Sequence, residues 1–235
     1  MADKKIIESP NTLARIAAVL FLIVVTMGIT LELFVLPDIL VPGDAAATVN
    51  NLIASEALFR TTVFGYLIRQ VFLALLALVV YKLFKPVDKN AAGLMIIFAL
   101  LSTPINMLNE LNYFAALQLA VGADGLTAFG AGQQQALVMF FLKMREYGTY
   151  IPGIFSLWIT LLGYLAFKSR FVPRILGIWM MIGGIAYVTQ AILFYVSPNF
   201  DAMIFGLFAF AGEFLFYLWL LSRGVKTTPS VRNIH

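Results

Sequence analysis

Apolar residues in this chain come in runs too long for a soluble globule to hide. Six stretches, at about 13–35, 61–84, 91–120, 147–168, 173–196 and 202–222, each approach or exceed the ~20 residues that carry an α-helix across bilayer hydrocarbon. Lipid offers the backbone no hydrogen-bonding partner, so a chain that crosses it this way is helical. The 235 residues are 61% hydrophobic and only 12% charged, whereas a soluble domain is about a quarter charged. The expected fold class is therefore all-α: a polytopic membrane protein, a bundle of six transmembrane helices with both termini cytoplasmic. Residues 1–12 read as a cytoplasmic segment, 13–222 as one membrane domain and 223–235 as a cytoplasmic tail. The first apolar run, Leu13 to Leu31, is too long for a signal-peptide core and no small-x-small site follows, which makes it a retained helix.

Breakers mark the boundaries. Pro86 follows Lys82 and Lys85 and stops the second helix, because proline removes a donor and crowds the preceding turn. Pro104 interrupts the third. The stretch at 122–135 is small and polar and reads as a loop. From Ala136 to Lys168 the chain is apolar but too long for one untilted span, and Gly148, Pro152 and Gly153 mark a bend. The piece at 134–146 is then an outer extension of the fourth helix or a re-entrant element. An amphipathic piece is expected at 45–58.

The net charge of +4 follows from topology rather than from nucleic-acid binding. Twelve of the 16 basic residues alternate onto one side of the six spans: Lys4, Lys5, Arg15, Lys82, Lys85, Lys89, Lys168, Arg170, Arg174, Arg223, Lys226 and Arg232. The other connections carry Asp38, Asp44, Glu56, Asp124 and Asp201. Basic loops stay in the cytoplasm, so both termini are assigned there and the protein to the cytoplasmic (inner) membrane. There is no cysteine, and the one histidine is the terminal His235. This excludes disulfides, thiolate chemistry and a core imidazole. No carboxylate spacing suggests a metal site and no motif suggests a cofactor.

Seven short segments carry a resemblance by their order and spacing. They are GDAAAT (43–48), FR (59–60), YKLFKPVDKN (81–90), the N-x-x-N at 109–112, YG (147–148), LGYL (162–165) and VPRILG (172–177). Together they resemble a family of bacterial six-helix membrane proteins, "domain of unknown function 4386", over roughly residues 9–222. The resemblance implies six spans and supplies no catalytic residues. Members often carry a histidine just before the YG pair, where this chain has Arg145, so a mechanism needing that imidazole does not carry over.

Charged side chains inside membrane helices are costly and usually face the interior. With both termini inside, Glu32, Arg69, Asn106, Asn109, Glu110, Gln190 and Glu213 fall in the outer half or near mid-depth of their helices. Asn106, Asn109 and Glu110 share one helix face by their i, i+3, i+4 spacing. The expectation is a polar cavity in the outer half, lined by Arg69, Asn106, Asn109, Glu110, Gln190 and Glu213, with Arg69 paired to Glu110 or Glu213. Glu32, Arg60, Arg145 and Glu146 are its outer-rim candidates. Arg145 and Glu146 are adjacent, point apart and need different partners. The plain alternative is that the amides are interhelical glue and the rim charges reach to the interface. The tryptophans, including Trp158, Trp179 and Trp219, are expected to face lipid or its boundary.

Three functions remain open. One is a membrane protein that binds or transports a small molecule through this cavity, for which a homodimer would suit the size. Another is an intramembrane enzyme on a lipid-type substrate, with Glu110, Glu213 or Glu146 as acid or base. The third is a non-catalytic helper subunit of a membrane complex. The bilayer itself is the one partner all three share.

Overall fold

A computed structural model describes residues 9–122, 130–197 and 201–225. Lys4, Lys5, Asp124, Lys226, Arg232 and His235 lie outside them. All regular structure among the described residues is helical, and six helical stretches there are long and apolar enough to cross a membrane: Pro10–Ile39, Glu56–Phe84, Lys89–Ala120, Ala131–Ser169, Arg174–Val196 and Met203–Arg223. The chain divides into two compact units. Among the described residues, the first comprises 9–22, 73–102, 152–197 and 201–225, and the second 23–72, 103–122 and 130–151.

Helix α1 (Pro10–Ile29) opens with Ser9, whose Oγ accepts the Thr12 N–H, and with Pro10 at the first position, where its missing donor costs nothing. It passes into a π-helical turn, Thr30–Val35, and then α2 (Leu36–Ile39). The expected end at 35 is thus overrun. Pro37 cannot donate to the preceding turn, and the widened π turn, with Leu36 N–H bonded to Leu31 C=O, absorbs the mismatch.

The amphipathic piece becomes α3 (Ala45–Ala54), separate from α4 (Glu56–Phe84). Asp44 caps α3 by accepting the Ala47 N–H at 2.8 Å. The Thr48 hydroxyl accepts from Val41 N–H and donates to Val41 C=O. Gly43 has φ +81°, a conformation that favours glycine. The GDAAAT segment is therefore a turn and cap.

Helix α5 (Lys89–Asn109) and α6 (Leu111–Ala120) are parted at Glu110. There the Asn112 side-chain amide donates to the Asn109 carbonyl at 3.0 Å, a local bond that competes with the helix ladder. Helix α7 (Ala131–Gly148) begins earlier than the expected loop at 122–135 allows. Glutamine is a good helix former, and the Gln134 side chain donates to the Leu119 and Ala120 carbonyls at the end of α6. A 3-10 turn, Ile151–Ser156, follows where Pro152 and Gly153 predict a bend, then α8 (Leu157–Ser169).

In the first unit, α8 packs on α9 (Arg174–Val196) through two glycines. A Cβ on Gly163 would lie 2.6 Å from the Gly177 carbonyl, and one on Gly177 would lie 2.9 Å from the Gly163 carbonyl. Gly183 meets Ala209 of α10 (Met203–Arg223) in the same way. Trp158 is buried, against the expectation of a lipid-facing ring, because it lies on the inward face of α8 with Ile159 and Leu162. Asp88 caps α5 by accepting the Asn90 and Ala91 N–H groups and also binds Lys168 Nζ at 2.7 Å. The Lys168 contact, with help from the Ala91 N–H, pushes its carboxyl down to about 2. The second unit holds its own apolar core, built around Leu52, Phe59, Tyr113, Leu117 and Val138.

Candidate functional site

Four segments of the second unit place polar side chains together. Helix α4 presents Tyr66, Arg69 and Gln70 at i, i+3 and i+4, hence on one face. The π turn carries Glu32. The break between α5 and α6 carries Asn109 and Glu110, with Tyr113 one turn further on. The last turn of α7 carries Arg145, where a cation also suits the negative end of the helix dipole.

Arg145 is the centre, not the rim. Its side chain is only 10% exposed. Nη1 donates to Glu32 Oε1 at 3.2 Å and Nη2 to Glu110 Oε1 at 3.4 Å. The Tyr66 and Tyr113 ring centroids lie 4.7 and 4.6 Å from its Cζ, so the guanidinium sits in the angle between two π faces that favour a cation. Its backbone is held too: the Arg145 carbonyl accepts from Asn109 Nδ2 at 2.9 Å and from the Thr149 hydroxyl at 3.0 Å. Gly148 is what lets Asn109 reach, since a Cβ there would overlap the Asn109 carboxamide. The N-x-x-N and YG segments thus meet at one point.

Arg69 does not take the expected carboxylate partner. Glu110 is committed to Arg145, and Arg69 Nε donates to the Val24 carbonyl at 3.0 Å. Among the described residues no carboxylate lies within ion-pair distance of it. Gly28 makes room for the guanidinium, since a Cβ there would stand 3.1 Å from Nε. An arginine at the centre of a membrane helix costs about 3 kcal/mol or more.

Buried hydrogen-bonding atoms remain unmatched. Glu110 Oε2, Arg145 Nε and Gln70 Oε1 are buried without a partner. A buried polar atom left in that state costs roughly 1–3 kcal/mol, and native proteins rarely keep several together. Such atoms suit a guest molecule that supplies the missing donors and acceptors.

The other expected site residues fall as follows. Asn106 is half-buried, one turn before Glu110, and its carbonyl accepts the Glu110 N–H. Arg60 forms an exposed pair with Glu56 at 2.8 Å, and Glu146 one with Lys143 at 2.9 Å. Arg145 and Glu146 thus have different partners, as their adjacency requires. Gln190 and Glu213 belong to the first unit. There Gln190 lies beside Gly206, and Glu213 is buried one turn before Tyr217. Tyr66, Gln70 and Tyr113 are the site residues the sequence reading did not select. For Tyr66 and Tyr113 the signal was spacing, three residues from Arg69 and from Glu110 respectively, and for Gln70 it was the position directly after Arg69 and one turn after Tyr66.

A family model described as "Domain of unknown function (DUF4386)" matches residues 16–224. An uncharacterised protein of the archaeon Archaeoglobus fulgidus is 29% identical over 155 residues, covering 66% of this chain and 78% of that protein. No solved structure matches.

Proposed function

The chain belongs to the DUF4386 family of multi-pass helical membrane proteins, and from that premise we propose that it binds a small polar molecule at the Arg145 cluster. One observation carries the reading: Glu110 Oε2, Arg145 Nε and Gln70 Oε1 are buried in a single unit without partners. Glue between helices would be expected to satisfy its own atoms, because half-satisfied polar networks are worse than apolar packing. The basic residues of the alternate connections support a cytoplasmic-membrane location with both termini inside. In that orientation the cluster lies in the outer half of the bilayer and receives its ligand from outside.

Gln70 tests the reading because its amide has no internal partner to lose. Replacing an unmatched buried amide with an apolar side chain is close to neutral for stability, so Gln70→Leu should fold as well as wild type. Native mass spectrometry of the full chain released from nanodiscs should show a retained small molecule on wild type and much less on Gln70→Leu. If Gln70→Leu destabilises the fold and neither protein retains a molecule, the site is structural and the proposal is wrong.

A further inference from the structure

Arg69 lies 13 residues from the start and 15 from the end of α4, about 20 Å from either end at 1.5 Å per residue. A side chain reaching some 6–7 Å leaves a charge at that depth far short of either interface. The residue must be answered within the protein or by something bound to it. Its one hydrogen bond among the described residues runs from Nε to the Val24 carbonyl. The terminal Nη1 and Nη2, part of the fork that grips a carboxylate or phosphate side by side, have no partner there. Both nearby carboxylates give an oxygen to Arg145 instead.

The charges around it narrow the chemistry. Arg69 lies within electrostatic reach of Glu32, Glu110 and Arg145. Two arginines and two glutamates sum to zero, so a guest of strong net charge would leave the membrane interior unbalanced. The unmet needs have opposite signs: Arg69 lacks an anion, while Glu110 Oε2 and Gln70 Oε1 lack donors. We infer that the molecule bound at this site is zwitterionic, with a carboxylate or phosphate held by Arg69 and an ammonium or other N–H donor held by Glu110 and Gln70. This rests on the binding reading above and adds the ligand's chemistry. An amino-acid-like solute and an ethanolamine phospholipid headgroup share that chemistry.

The test measures unfolding midpoints of the full chain in dodecyl maltoside, which carries no charge. After detergent exchange has stripped any retained molecule, as native mass spectrometry checks, and without additive, Arg69→Met should melt no lower than wild type, because an unanswered cation has been removed. A lower midpoint would make Arg69 a structural support and overturn the inference. Glycine, phosphoethanolamine, and micelles doped with phosphatidylethanolamine are then added separately, with acetate and ethylammonium as single-sign controls. Wild type and the exposed-site control Arg174→Met should be raised by a zwitterion and not by the controls, and Arg69→Met by none. A rise with phosphatidylethanolamine alone identifies a headgroup; a rise with glycine or phosphoethanolamine identifies a solute. If no zwitterion raises wild type, or if Arg69→Met responds as wild type does, the inference fails. Should Gln70→Leu abolish the rise while Arg69→Met keeps it, binding at the cluster stands and only the role of Arg69 falls. No response from any protein, together with no retained molecule, removes both.

Discussion

Arg145 depends on neighbours from three other segments, and its energetics are those of a buried ion pair. Such pairs gain little on assembly, because desolvation offsets their attraction, yet breaking one side is expensive since the remaining charge stays buried. Glu110→Gln removes the more buried of its two carboxylates; the Glu32 side chain is 46% exposed, that of Glu110 only 5%. The expected cost is about 3 kcal/mol in the unfolding free energy. The double variant Arg145→Met with Glu110→Gln should lose clearly less than the sum of the two single losses, because the pair acts as one unit. A denaturant series on the four proteins measures this. Strict additivity would mean that the two side chains do not interact.

At the scale of elements, helix existence was legible and helix irregularity only partly so. Six long apolar runs leave the backbone no other choice, and the bend after α7 was announced by Gly148, Pro152 and Gly153. The π turn at Thr30–Val35 was harder to see, because its cause, Pro37, lies beyond it, past the expected helix end at 35. The break at Glu110 comes from Asn112 bonding back to Asn109, a side-chain choice that composition does not reveal. The resemblance segments turn out to be the devices that fix element ends and contacts. Asp44 caps α3, Asp88 caps α5 and binds Lys168, and Gly163 and Gly177 bring α8 and α9 together. Depth alone suggested that polar residues congregate in the outer half; which of them touch depends on helix rotation. That is why Arg145, an outer-rim candidate by its place at the outer start of the fourth span, is instead buried, and why Glu110 answers Arg145 rather than Arg69.

For the whole molecule, the family and the six apolar helices establish a multi-pass membrane protein, and the charge asymmetry supplies the proposed orientation. A reporter enzyme active only outside the membrane, fused after Arg223, should stay silent; activity there would reverse the orientation and turn the cluster toward the cytoplasm. The account's central claim is that the Arg145 cluster is a binding site. An experimental structure of the full chain in nanodiscs, read at Glu110 Oε2 and Arg145 Nε, tests it most directly. Non-protein density within hydrogen-bond distance of these atoms, reaching Arg69, is the predicted result. A dry cluster in which rotated side chains satisfy all of these atoms among themselves would contradict it.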